Sequence, residues 1–455
     1  MSLIQEPAIP LYDAVVKGYH TLSTAGGGSE DIGVRRARQS AFDQWRLLGF
    51  PSIKNEDWKY TNITRYLKDE FALNGLVAGD EPVAAVAAPA GLVKKATIPG
   101  LDALQVVLVN GVWDGKVHGA SPKGELPKGL ELLKVSQVLN DPAFAGYFGN
   151  GKWGNLHFAY LNTALFTDGL FIRVKDGAVI EKPLHVVHVF TGDRNLLIQP
   201  RHVWVVGRNS EASVVESVVS AGSDVKLWVN SLTEIFAQTD AKLDHVVLQT
   251  AGAGVRLVQH TTVRQQKQSL YNNYTFTLPG AELVRNDLQA RLEEDHTETH
   301  LYGLYLAAGG QLVDNHTLVD HQKPNCYSNE LYKGVLLEKS TGVFNGKVFV
   351  HQDAQKTNAF QQNNNLVISK QATIDSKPEL EIYADDVKCS HGSTVGQFSE
   401  EALFYLRARG IGEETAKALL INAFAFDVTE KLKNEAVEHF VNELISQHIP
   451  NQTQA

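Results

Sequence analysis

Thiols are scarce in this chain: 455 residues include two cysteines, Cys326 and Cys389. Two thiols cannot form a disulfide framework, and their rarity fits a reducing cytosol. Nor can they close a resident iron–sulfur centre, which takes about four mostly thiolate ligands. Positive charge is also in deficit, with 42 Lys and Arg against 51 Asp and Glu and a net charge of −9. That balance argues against nucleic acid as the main partner, because neutralising phosphates requires clustered cations. No apolar run approaches the length that spans a bilayer. The first ten residues lack the basic and apolar regions of a secretory signal, so the expected setting is cytoplasmic, with no membrane partner. Nucleotide motifs are missing too. Gly342-Val-Phe-Asn-Gly-Lys347 has neither the spacing nor the hydroxyl of a phosphate-binding loop, and Gly252-Ala-Gly254 is no dinucleotide fingerprint.

What is present reads as a folded protein of ordinary polarity, 43% hydrophobic and 20% charged. The length suggests two or three domains, unless the fold is an elongated repeat. Residues 30–49 carry Ala37, Phe42, Trp45 and Leu48 at helical spacing and stop at Gly49-Phe50-Pro51. Asn55-Glu-Asp-Trp-Lys-Tyr-Thr61 then gathers aromatic and charged groups, read as a capped turn with Trp58 and Tyr60 packed on the domain. Residues 76–100, rich in Ala, Gly, Pro and Val, read as a flexible connection. A hairpin follows in 104–113, with Asn110-Gly111 at its turn. A second helical patch is expected over 130–148.

From 165 to 397 the pattern changes to many short β runs with small or polar residues at corners, as in Gly280-Ala-Glu-Leu-Val, Gly309-Gly-Gln-Leu-Val, Ser340-Thr-Gly-Val-Phe and Gln371-Ala-Thr-Ile-Asp. They recur roughly every 30 residues, with subdivisions near 15, the mark of stacked units that bury a core only through their neighbours. A parallel β-helix explains this better than a sandwich. Gln361-Gln-Asn-Asn-Asn365 fits it, since stacked amides can form ladders between rungs. The expected domains are thus 1–164, a helical and mixed region with its linker at 76–100; 165–397, the β-helix; and 398–455, helical.

In that last part Ser399 is an N-cap before Glu400 and Glu401, and Gly410 ends the helix. A second helix is expected to carry Ala416, Leu419, Leu420, Ala423 and Phe424. Asp427-Val-Thr-Glu430 has capping-box character for a third, with Val437, Phe440, Val441, Leu444 and Ile445 as its apolar stripe. These helices read either as a cap on the solenoid or as a docking platform.

The residues that carry chemistry are Cys389 and His391, within Cys389-Ser390-His391. Residues two apart on a strand share a face, so thiol and imidazole stand side by side, a donor pair suited to zinc, iron or an iron–sulfur unit. Two ligands are an incomplete set. Lys388 would favour the Cys389 thiolate; the alternative for Cys389 is a small buried hydrophobe in the stack. Cys326 reads as structural. His296, Glu298 and His300 would share a strand face, but they do not match the helical zinc-protease pattern and read as polar outer surface; His316 and His321 are ambiguous.

Cys389-Ser-His-Gly-Ser-Thr-Val-Gly-Gln397, followed by Glu401-Ala-Leu-Phe-Tyr-Leu-Arg-Ala-Arg-Gly410, closely resembles the signature of the SufB/SufD family in its SufD form. Leu161-Asn-Thr-Ala-Leu-Phe-Thr-Asp-Gly-Leu-Phe171 and Asn55-Glu-Asp-Trp-Lys-Tyr-Thr61 resemble other parts of the same family. The SufB form would carry a Glu-His-Glu-Ala segment in place of Cys-Ser-His-Gly, and more cysteines. The resemblance implies a right-handed parallel β-helix between helical regions, in a non-catalytic scaffold subunit of the SUF iron–sulfur cluster assembly machinery. It implies pairing with SufB through the β-helices and docking of the ATPase SufC on the helices of 399–422. It places Cys389 and His391 near the subunit interface, where a transient cluster is shared with the partner and His391 is the better candidate contributor. No stable cofactor is expected in the isolated chain, and flavin binding is left open. Competing readings are a carbohydrate-active or acyltransferase-like β-helix enzyme, or a structural homodimer.

Overall fold

The computed structural model describes residues 9–25, 31–75, 87–120, 125–139, 141, 145–148, 156–222 and 224–449. Its core is a β-solenoid of two parallel sheets, between which successive strands alternate. In the first sheet Leu283 pairs with Leu312 and Leu312 with Thr341, each 29 residues on, which is the repeat spacing expected from the sequence. One corner of six successive turns is set by a residue in the left-handed region: Asn209, Asp240, Gln268, His296, Asn325 and Lys356. The backbone N–H of Asn209 donates to Thr239 O, that of Asp240 to Lys267 O, and that of Asn325 to Gln355 O, so corner stacks on corner. The polar side chains that tolerate this conformation are the corner signal in the sequence.

Inward-facing side chains form the main core, including Trp204, Ile235, Val263, Tyr271, Leu288, Leu301, Val319, Tyr332 and Phe344. Close packing needs empty positions opposite the rings. A Cβ on Gly303 would fall 2.2 Å from the Tyr332 ring, so that rung accepts only glycine. Charged groups also enter the interior. Glu216 accepts from His188 Nε2 at 2.6 Å and His245 Nε2 at 2.7 Å. Burial alone would raise its carboxyl, but the two imidazoles outweigh this and hold it well below the usual carboxylate range. Glu330 has no such partners. Burial pushes its carboxyl up to about 7, against the opposing hydrogen bond from Gln361.

The N-terminal helices Pro10–Ala25 and Ile32–Leu48 pack with His157–Leu165 on the outer face of the first sheet. Tyr19 stacks on Phe42 at 3.7 Å, and Gly49, at φ 65°, ends the second helix. The 55–61 motif forms a 3-10 turn, Glu56–Trp58, anchored by a buried cation. Arg285 donates to Asp287 Oδ1 at 2.9 Å and Asp314 Oδ2 at 2.6 Å, and its guanidinium lies 3.8 Å from the Trp58 ring centre. Thr61 Oγ1 also donates to Asp314, at 2.6 Å. Trp58 is buried as expected, whereas Tyr60 is exposed.

Several local expectations change. The hairpin forms, with Asn110 and Gly111 both at positive φ. Leu130–Lys134, expected to be helical, is a strand antiparallel to Leu170–Val174, because the sheet end supplies a partner for its alternating Leu130 and Leu132. In the stretch expected as a linker, 76–86 lies outside the described residues. The remainder contains the helix Ala90–Ala96, held by buried Ala96 and Ile98.

The C-terminal helices are Glu400–Ala408, Glu413–Thr429 and Glu435–His448. Ser399 caps the first, accepting from Ala402 N at 3.2 Å. The second buries Ala416, Ala418, Ile421, Ala425 and Val428, and exposes Leu419. Its sequence is apolar on most sides, so the receiving sheet selects the buried face. It also runs through Asp427-Val-Thr-Glu430; the cap of the third helix is Asn434, accepting from Val437 N, while Asp427 accepts from Lys333 Nζ. The second and third helices lie along the outer face of the second sheet, against Val246, Tyr274, Phe276, Leu304 and Val335. They do not cap the solenoid.

Two outcomes test these buried charges. Arg285→Leu strands two buried carboxylates and should cost about 3–5 kcal/mol in urea unfolding; a loss below 1 kcal/mol would contradict the anchoring role. Glu330 has a folded-state pKa near 7, raised above its unfolded value of 4.5. Its contribution to stability is full below 4.5 and is lost as pH rises through 7. Glu330→Gln should therefore gain on the wild type by about 3 kcal/mol between pH 4.5 and 8. A stability gap that stays constant with pH would show that Glu330 is not held neutral.

Candidate functional site

The two ends of the solenoid differ. At the N-terminal end Val117, Ala120 and Leu126 pack against the interior core. At the other end the last strand of each sheet, Thr373–Ile382 and Lys388–Gly396, pairs on one side only, with Thr341–Val350 and Asn358–Val367. None of the residues in these two strands is fully buried. Nearby, Ile382, Tyr383 and Val395 are exposed. Unpaired backbone donors and acceptors along such edges are a template for another strand. Pro378 lies within Thr373–Ile382, where it is tolerated because the strand is an edge.

Cys389 and His391 sit on this last rung. Register places Cys389 on Ala359, His391 on Gln361 and Ser393 on Asn363, all inward-facing positions. The two side chains do share a face, but that face looks into the solenoid, and they remain accessible because no rung covers them. Cys389 is half-buried and packs with Val348, Val350, Ala354, Ala359 and Ala384. Burial pushes its thiol up, partly offset by a hydrogen bond with the Ala359 backbone. The expected thiolate-stabilising effect of Lys388 is absent, because consecutive strand residues point to opposite faces. His391 is exposed, and no hydrogen bond to its ring exists among the described residues. Further along the rung, Ser393 Oγ and Ser376 Oγ meet at 2.8 Å across the two sheets, and Ser376 donates to Asn363 Oδ1 at 2.7 Å.

The amide run 361–365 faces inward at alternate positions but forms no simple ladder. Gln361 donates to Glu330, Asn365 to Asn363 Oδ1 at 2.7 Å, and Tyr305 Oη to Asn365 Oδ1 at 2.7 Å. Glu330 was not singled out from the sequence; its alternation with Ser328 and Tyr332 was the available signal.

The remaining candidates separate. Cys326 is buried and accepts from Thr297 Oγ1 at 3.1 Å, a structural thiol. His296 occupies a left-handed corner beside Asp295, so it does not share a strand face with Glu298 and His300. His300 pairs with Glu298 at 2.7 Å on the outer surface. His316 pairs outward with Asp314, while His321 faces inward against Ser328 Oγ. No group of three or more metal-ligating side chains occurs among the described residues. A cleft of about 400 Å³ beside Asp57 offers carboxylates and cations, but they neutralise each other: Lys377 holds Glu56 and Glu379, and Lys347 holds Glu381. No helix among the described residues is long and apolar enough to cross a membrane.

Comparison with known proteins agrees with this architecture. The family model "SUF system FeS cluster assembly, SufBD core domain" matches residues 188–424, and "SufBD protein N-terminal region" matches 29–186. The chain is 30% identical over 427 residues to the iron–sulfur cluster assembly protein SufD of Escherichia coli, covering 92% of this chain and 95% of that one. It is 30% identical to a SufBD family protein of Synechocystis, covering 92% of each. A chloroplastic Arabidopsis thaliana protein, ABCI7, is 28% identical over 91% of this chain and 86% of its own. Two family models that together cover most of the chain, with relatives matched along nearly their whole length, establish that this protein belongs to the SufBD family of iron–sulfur cluster assembly proteins.

Proposed function

We propose that the chain is a non-catalytic scaffold subunit of the SUF machinery, which joins SufB edge to edge through its terminal rung and contributes His391 and Cys389 to a nascent cluster at the junction. One observation carries this reading: a Cys–His pair on a shared strand face stands on an unfinished rung. Assembly and release demand a site that binds iron and sulfide without enclosing them. Two ligands on one chain, completed by a second, meet that demand. His391 is accessible and can ligate as a neutral imidazole. Cys389, with its thiol pushed up, flanks the site and becomes a ligand only when a bound metal displaces its proton to solvent.

The second element is the helix Glu400–Ala408. It has no buried residue and exposes Phe404 and Tyr405, while the following helix exposes Leu419 and Phe426. Such a surface suits docking of another protein, here the ATPase SufC, which supplies the nucleotide chemistry that this sequence lacks. The same open rung also supports self-pairing when the partner is missing.

Two experiments test these assignments. In the reconstituted complex with SufB and SufC, His391→Ala should lower bound iron and sulfide about tenfold or more while the chain folds and pairs normally; wild-type loading would refute the site. Phe404→Glu should abolish capture of SufC without weakening capture of SufB, both read by co-purification. Retained SufC would remove this helix from the docking surface. Deleting 399–455 is the poorer test, because it strips the second sheet of its apolar cover.

A further inference from the structure

The interior column that ends at His391 contains a polar pair that apolar packing does not require. Glu330, Gln361 and His391 are direct register partners on three successive strands of the second sheet. Gln361 is 3% exposed, and its Nε2 donates to Glu330 Oε2 at 2.8 Å. Gly346, on the facing sheet, makes room for this amide; a Cβ there would lie 2.5 Å from Nε2. The bond from Nε2 to Glu330 fixes which way the amide is turned and leaves its oxygen as the acceptor. That oxygen is buried and has no hydrogen-bond partner among the described residues. The next residue along the column is His391, whose exposed ring makes no hydrogen bond among the described residues. Neighbouring strands lie about 4.8 Å apart, so a rotation of that ring toward Gln361 brings the imidazole and the amide within hydrogen-bonding reach.

We propose that Gln361, held in place by Glu330, positions His391: Gln361 Oε1 accepts the N–H of the inward ring nitrogen, which fixes one neutral tautomer and directs the lone pair of the other nitrogen to the open end. The proposal rests on His391 being a ligand of the nascent cluster, and it identifies what makes that imidazole a prepared ligand. Ligating histidines characteristically donate their second ring N–H to a carbonyl or carboxylate, which sets both tautomer and orientation. Gln361 and Glu330 are positioning residues, since neither needs to touch the metal. Glu330 acts through an acceptor oxygen, which it presents in either protonation state.

The test reads the tautomer directly. Nitrogen NMR of histidine-labelled full chain at about pH 8.5, where an imidazole is neutral, should show one protonated and one bare nitrogen for His391, assigned by its loss in His391→Ala. Gln361→Met should move the two resonances toward the averaged values of a free ring and lower cluster loading in the complex about tenfold. Glu330→Leu should act in the same way and Glu330→Gln should not, because glutamine keeps the acceptor oxygen; this pair leaves Gln361 in place should Gln361→Met fail to fold. An unchanged tautomer in Gln361→Met, or equal damage from Glu330→Gln and Glu330→Leu, overturns the proposal. Wild-type loading of His391→Ala would instead overturn the ligand assignment itself, whatever the tautomer.

Discussion

A rung of a parallel solenoid satisfies its backbone only by lying between two other rungs. Much that is distinctive about this protein follows from that constraint and from the C-terminal end, where the parallel stack stops. Along the stack each strand is paired on both sides, which permits side chains inside that an ordinary core would reject. Glu216 between two imidazoles is an example. At the end the ladder stops, and the interior column of amides and hydroxyls reaches solvent through His391 and Ser393.

The helices take their positions from the same geometry. A solenoid offers two broad outer faces, and helices settle where those faces are apolar: the N-terminal set around Trp228, Val258, Leu283 and Leu312, the C-terminal set around Val246, Tyr274 and Leu304. Both leave the terminal edge bare. Arg285 shows how specific the attachment is. Its guanidinium fills the gap between two carboxylates of the sheet and lies over the ring of Trp58, tying a distant turn to one register position.

The β-helix was legible because its signals repeat: a polar or small corner, then alternating residues, at a constant interval. The hairpin at Asn110-Gly111 and the Ser399 cap were legible because each is decided within a few residues. Where tertiary contacts decide, the local signal misled. Leu130–Lys134 becomes a strand because an unpaired strand lies beside it, and Glu413–Thr429 is apolar on too many sides to announce which face will be buried. At the candidate site, period-two alternation put Cys389 and His391 on one face, but whether that face looks inward depends on the closing of the whole turn. For the same reason Gln361 and Glu330 gave no sign of lying in one column; residues 31 apart become neighbours only once the coil length is known.

The strands at the N-terminal end have a further consequence. Leu130–Lys134 and Val112–Trp113 run antiparallel to their neighbours, and Val117, Ala120 and Leu126 pack against the core. Head-to-tail stacking of copies would therefore not continue one parallel coil, so an edge can stay raw at the other end with a guard against fibre growth.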